Sequence, residues 1–215
     1  MPQKIPATVI TGFLGSGKTT MIRHLMKNAQ GRRIALVINE FGETGVDGGL
    51  LDGCCAPGDI IELNNGCICC TVADDFLPTM EKLLARPEPF DHIVIETSGL
   101  ALPQPLVRAF AWPGISTRMT VDGVVTVVDG KAVAEGRFAE NEDAIEAQRA
   151  SDDSLDHETP LSELFEDQIA CADMIVLNKA DLLNGTEAAD VARKLAQEAR
   201  PGARVLVAQK GALPL

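Results

Sequence analysis

The run Gly12-Phe-Leu-Gly-Ser-Gly-Lys-Thr19 constrains this chain more than any other feature, because it fits G-x-x-x-x-G-K-[ST] at every fixed position. Ala7 to Thr11, before it, is a short β-branched run, and Lys18 to Lys27, after it, has helical character. Strand, glycine loop and helix in that order make a phosphate cradle. Gly12, Gly15 and Gly17 let the backbone curl until successive N–H groups face one anion at the positive end of the helix. Ser16 and Thr20 belong to the same binding run. Lys18 brings a point charge to the β- and γ-phosphates, and the Thr19 hydroxyl is placed to ligate Mg²⁺.

The remainder of the chain repeats the alternation that such a loop requires. Ile34 to Asn39, Ile60 to Leu63, Ile93 to Glu96, Val124 to Val128, Met174 to Asn178 and Val205 to Ala208 are apolar runs of strand length. Helical stretches lie between them, at Thr71 to Arg86, Pro105 to Ala111, Leu161 to Cys171 and Thr186 to Arg200, with Pro78 awkward inside the first. Strands alternating with helices predict right-handed βαβ crossovers and an α/β, three-layer P-loop NTPase fold with a mainly parallel sheet. Aromatic residues are only 4% of the chain, so the core must be aliphatic, as buried parallel strands are. A length of 215 residues suits one P-loop domain over 1–215, large enough to fold without staples.

Two further motifs define which nucleotide this cradle takes. Asn178-Lys179-Ala-Asp181 follows directly on a strand. A carboxylate at Asp181 can accept both hydrogen bonds from guanine N1–H and the 2-amino group, a donor pair that adenine lacks. Ala208-Gln-Lys210, after the last strand, is where a second base-contacting loop falls. Glu96-Thr-Ser-Gly99 ends another strand. An acid there can hold a Mg²⁺-bound water, and the Gly99 N–H can meet the γ-phosphate. Asp129 is a weaker acidic candidate beside it. The expected reaction is hydrolysis of GTP, carried by Lys18, Thr19 and Glu96. No residue stands out as orienting the attacking water, so intrinsic turnover is expected to be slow.

Cysteine usage adds a second chemistry. Cys67-Ile-Cys69-Cys70 puts three thiols within four residues just before a helix, an arrangement that favours thiolates and a thiophilic divalent ion. Cys54 and Cys55 lie upstream, and a structural zinc held by all five is the alternative. Cys171, in an apolar helical stretch, reads as core, and His24, His92 and His157 as isolated structural or surface residues. Asn39-Glu-Phe-Gly-Glu43 offers the carboxylates Glu40 and Glu43, either as oxygen ligands or as loop charges.

The net charge of −12 speaks against a nucleic-acid partner. Twelve of the 31 acidic residues fall between Glu135 and Asp167 against two Arg. That run reads as a solvated acidic insertion, with a docking surface for a basic partner as the sharper reading. No signal peptide or membrane-length apolar run is evident, so a cytoplasmic protein with reduced cysteines is expected and no membrane partner. Oligomeric state is open.

Taken together, the P-loop to Thr20, Asn39 to Glu43, Asn65-Gly-Cys-Ile-Cys-Cys70, Glu96 to Gly99 and Asn178 to Asp181 resemble the CobW-type metallochaperone GTPases over nearly the whole chain. Ile5-Pro-Ala-Thr-Val-Ile resembles that family's N-terminal partner-recognition stretch. The resemblance implies nucleotide-gated metal binding at Cys67, Cys69 and Cys70. The tract Thr97 to Arg108 and the segment ending Asp152-Asp-Ser-Leu-Asp-His157 are similar to the branch associated with aerobic cobalamin biosynthesis. For that branch the implied cargo is Co²⁺ and the implied partner a cobaltochelatase. The ligands themselves suit Zn²⁺ equally, because thiolate tetrahedra do not select cobalt. Iron as cargo, or a P-loop kinase with a structural zinc, are the remaining alternatives. Members of the family normally continue into a smaller C-terminal domain, and this chain is expected to lack it.

Overall fold

The structure, a computed structural model, describes residues 4–38, 60–62, 76–150 and 159–213. Seven strands form one sheet: β1 (Ile5–Thr11), β2 (Ile34–Ile38), β3 (Ile60–Glu62), β4 (His92–Glu96), β5 (Met119–Asp129), β6 (Met174–Asn178) and β7 (Arg204–Val207). Their order is β3-β2-β4-β1-β5-β6-β7 and every pairing is parallel. The helices are α1 (Lys18–Lys27), α2 (Leu77–Leu84), α3 (Pro103–Ala109), α4 (Pro113–Ser116), α5 (Gly130–Ala134), α6 (Glu142–Ala150), α7 (Leu161–Ala170) and α8 (Gly185–Glu198).

Strand alternation assigns the layers. Ile10, Leu36, Ile38, Val94 and Val127 point to one face, where Met21, Ile22 and Met26 of α1 cover them. Ala7, Val9, Ala35, Val37, Ile93 and Ile95 point to the other, beneath Met80 and Leu83 of α2 and Leu106 of α3. Val128, Ile175 and Leu177 continue that second face under Phe165 and Ile169 of α7 and Val191 and Leu195 of α8. Burial on both faces explains why these strands read as unbroken apolar runs rather than alternating ones. Because β1 feeds a helix on one face while β5 feeds the other, a crevice opens at their carboxyl ends, where ligands of such sheets bind.

Element boundaries moved where local pattern and tertiary pairing disagree. The strand expected at Val124 to Val128 runs from Met119 to Asp129. Its first half carries Thr120, Asp122 and Gly123, which no apolar pattern marks, yet it pairs with Ile5 to Ala7 through an irregularity between Ala7 and Thr8. Asp122 is the extra residue at that bulge. Pro78 stands in the first turn of α2 as described from Leu77, and the part of the expected helix over 71–75 lies outside the described residues. The helix expected from Pro105 starts at Pro103, again with proline in its first turn. Among the described residues no helix is long and apolar enough to cross a membrane.

Candidate functional site

The glycine loop leaves β1 at its carboxyl end and turns into α1 through Gly17, whose φ is +97°. Two of its glycines are fixed by contact as well as by dihedral. A Cβ at Gly12 would lie 2.1 Å from the carbonyl oxygen of Val127, and one at Gly17 would lie 2.2 Å from Asn178 Nδ2. No side chain caps α1, so its first-turn N–H groups open into the cleft.

That cleft has a volume of about 280 Å³, and Lys18, Thr19, Glu96 and Gly99 all line it. Lys18 Nζ arches back over the loop and donates to the carbonyls of Gly12 at 2.6 Å and Phe13 at 3.3 Å. The Thr19 hydroxyl donates to Glu96 Oε1 at 3.2 Å, bringing together two hard oxygen groups from residues 77 apart in sequence. The pair suits Mg²⁺, a cation bound through hard oxygens. Glu96 is 7% exposed, so its carboxylate belongs to the cleft and not to the surface. Gly15 and Thr20 line the same cleft, and Ser16 is buried behind it.

Asn178 ends β6 buried, and its amide works in two directions. Nδ2 donates to the Ser16 carbonyl at 2.9 Å, and Oδ1 accepts from Gly211 N–H at 3.0 Å. It thereby ties the glycine loop to the turn at 209–212. Lys179, with φ +57°, turns the chain so that Asp181 stands exposed in a short 3₁₀ helix, Ala180–Leu182. The Ala180 N–H donates to the Ala208 carbonyl at 3.1 Å, so the Asp181 loop and the 208–211 loop lie side by side. Lys179 Nζ donates to Asp129 Oδ2 at 2.7 Å and to Glu140 Oε2 at 3.0 Å. Burial pulls the ammonium pKa down, but the two carboxylate hydrogen bonds outweigh it and hold Lys179 above the ordinary lysine value. Asp129 also accepts from the Ala132 N–H to cap α5. Its oxygens serve the protein, and the Glu96 side of the cleft carries the acid beside Thr19.

Two glutamines escape any motif. Gln168 of α7, 1% exposed, donates to the carbonyls of Gly99 at 3.0 Å and Ala101 at 3.3 Å, clamping the loop after β4. Gln148 of α6 lines the cleft itself. Neither residue has a spacing signal, since its partners lie far away in the chain. The acidic stretch holds more structure than a solvated insertion needs. Phe138 and Phe165 pack around Phe13 of the glycine loop, with ring centroids 6.4 and 5.9 Å away.

Cys171 does belong with the packed interior. Its thiol donates to the Gln168 carbonyl, and burial pushes its pKa up to about 11. His92 is half-buried in β4 and shares a 2.8 Å hydrogen bond with Thr8 of β1. The other expected ligands, Glu40, Glu43, Cys67, Cys69 and Cys70, lie outside the described residues, as do Cys54, Cys55 and His157.

Comparison with known proteins converges on one group. The family profile of the CobW/HypB/UreG nucleotide-binding domain matches residues 6–207. A protein described as zinc chaperone CobW from a Sinorhizobium species is 67% identical over 187 residues, 85% of this chain and 53% of that protein. The zinc chaperone CobW of Pseudomonas aeruginosa is 52% identical over 99% of this chain and 58% of its own length. The chain therefore spans little more than half the length of these curated relatives. Among solved structures, the Zn(II)-bound YjiA GTPase of E. coli superposes with a TM-score of 0.58 at 28% identity, over 95% of this chain and 57% of that one. HypB from Helicobacter pylori, at 16% identity and a TM-score of 0.56 over 97% of this chain and 80% of its own, shares the fold.

Proposed function

Since the chain belongs to the CobW/HypB/UreG family through its nucleotide-binding domain, we propose that it is a GTP-hydrolysing metallochaperone whose nucleotide state governs its hold on a transition-metal ion. The observation that carries this reading is the convergence of Lys18, Thr19, Glu96 and Gly99 on one cleft at the carboxyl end of β1. Phosphates meet the N–H groups of the loop and of α1, and Lys18 exchanges the Gly12 and Phe13 carbonyls for phosphate oxygens. Thr19 and Glu96 would hold Mg²⁺, which would offset charge on the phosphate oxygens. The Gly99 N–H marks the γ-phosphate. Asp181 reads the guanine edge, while Asn178 holds the glycine loop and the 208–211 loop in register around the nucleotide.

The cargo ion goes to Cys67, Cys69 and Cys70, with Glu40 and Glu43 in the loop that senses the γ-phosphate. Zn²⁺ is favoured by the two relatives described as zinc chaperones. Co²⁺ destined for a cobaltochelatase is the second reading, favoured by the tract Thr97 to Arg108. Ordering of the switch loop by GTP completes the ligand set, and hydrolysis releases the ion to its acceptor. A full swing of this kind needs about 5.5 kcal/mol of differential binding.

The test is a competitive titration with Zn²⁺ and with Co²⁺ in the presence of Mg·GTP, Mg·GDP or no nucleotide. Tight binding with Mg·GTP alone, lost in Cys67→Ser or Cys69→Ser, is the expected result, and the tighter ion after allowance for its cellular availability names the cargo. Equal affinity in all three states would reduce the protein to a GTPase with a static metal site.

A further inference from the structure

Residues 135–150 reach the nucleotide machinery at three separate points. Phe138 packs edge-on against Phe13 in the glycine loop and tilts against Phe165 with centroids 5.4 Å apart. Glu140 accepts from Lys179 in the base-reading loop at 3.0 Å. Gln148 lines the same cleft as Lys18 and Gly99. The helix that carries it is held firmly for its length. The Phe138 N–H donates to Glu142 Oε1 at 3.0 Å at its start. Ile145 is fully buried, and Arg149 is buried and donates to the Thr159 carbonyl at the end. Ile145, Gln148 and Arg149 are three and four residues apart and so share one inward face of α6. Gln148 follows from that face: its Oε1 is buried although the helix around it is acidic and largely exposed.

We propose that Gln148 is a further catalytic residue, orienting the attacking water at the γ-phosphate. The proposal rests on the reading of the cleft as a GTP-hydrolysing site. A primary amide suits the task because it accepts through its carbonyl and donates through its NH₂, so it can hold a water and a phosphate oxygen together without adding charge. The water oxygen forms its bond to the γ-phosphorus as the bond from phosphorus to the β–γ bridging oxygen breaks, leaving GDP. The water's proton leaves with the released phosphate, and Gln148 neither gains nor loses one. Positioning of this kind is what phosphoryl transfer asks of a protein, since little covalent chemistry is left for side chains to do. The residue comes from the segment whose two other contacts, at Phe13 and Lys179, touch the loops that surround the nucleotide. Gln148 therefore reaches the cleft on a support braced against the glycine loop and the base-reading loop at once.

Single-turnover hydrolysis by the full 215-residue chain, with GDP and a non-hydrolysable GTP analogue as binding probes, tests this with Gln148→Ala and the nearly isosteric Gln148→Glu. Gln148→Ala should slow hydrolysis about 100-fold, the cost of removing one preorganised group at a transition state, with GDP affinity unchanged. Gln148→Glu should slow it comparably and also weaken the GTP analogue but not GDP, because its carboxylate repels the γ-phosphate and cannot donate. If Gln148→Ala does not fold, the Gln148→Glu arm decides alone. Wild-type hydrolysis rates in either folded variant, or a loss of GDP affinity in step with the rate, overturn the assignment of Gln148. A wild-type chain that neither binds nor hydrolyses GTP overturns the GTPase reading beneath it as well.

Discussion

At the scale of single residues, the cleft divides into groups defined by local spacing and groups that are not. Lys18, Thr19 and the glycines follow from a backbone curl closed within eight residues, so their chemistry is visible in the order of amino acids alone. Asp181 is of the same kind, because Lys179 at φ +57° places it and both belong to one four-residue motif. On the proposed reading, Asp181→Ala removes two charge-assisted hydrogen bonds to guanine, each about 1.5 kcal/mol, so the preference for GTP over ATP should fall about 100-fold. Competition between labelled GTP and unlabelled ATP measures it, and an unchanged ratio would move base recognition to the 208–211 loop. Gln148 and Gln168 could not be read this way. Gln168 meets Gly99 across 69 residues of sequence, and neither glutamine sits in a pattern that separates it from a surface residue.

Whole elements were legible to the extent that burial is symmetric. Strands covered on both faces announce themselves as apolar runs, and β6 was found with its bounds at Met174 and Asn178. β5 was half hidden, since its first turns of chain are polar and are held by pairing with β1 rather than by their own character. The stretch from Glu135 to Asp167 hides its packed residues for the opposite reason. Among its described residues, Asp143, Glu146, Glu163 and Glu166 are exposed on helices whose inner sides carry Ile145 and Phe165. α7 in particular holds the loop after β4 through Gln168. Gln168→Leu leaves the carbonyls of Gly99 and Ala101 without these donors, a loss of about 1–3 kcal/mol. Hydrolysis should slow while GDP affinity holds, and amide exchange at 97–101 should accelerate; unchanged exchange would show that the loop is held by other means. The β1–β4 pair carries a pH dependence. Burial is the main cause that lowers the His92 pKa below 6.5, opposed by Asp122 and assisted by Arg32. The unfolded chain therefore takes up that proton first, and stability falls as pH drops below about 6.5 and on through the folded value. The urea midpoint should decline between pH 7.5 and 5.5 in the wild type and decline less in His92→Gln; parallel declines would assign the effect to other groups.

Across the molecule, the cleft rests on the contacts that hold the fold, because Asn178 ties the glycine loop between β1 and α1 to the turn at Gly211. A ligand at about 100 times its dissociation constant adds about 2.7 kcal/mol to the folded state. For a domain of this size that corresponds to a rise in Tm of about 5–10 °C. Mg·GDP should give that shift in the wild type and little of it in Lys18→Ala, as thermal melts followed by circular dichroism would show; an equal shift in both would remove Lys18 from the phosphate site. The order of strands adds a consequence of its own. With β1 in the middle, the loops at 179–182 and 208–211 stand on the β6–β7 side, while β3, which leads in sequence toward Cys67, stands at the far edge. Under the proposed function a nucleotide would span the two like a plug with an inert grip and a live tip. Its base would fix which currency the protein accepts, and only the presence or absence of the third phosphate would be transmitted toward the cargo. An altered base-reading loop would thus change the fuel and leave the meaning of the signal as it was.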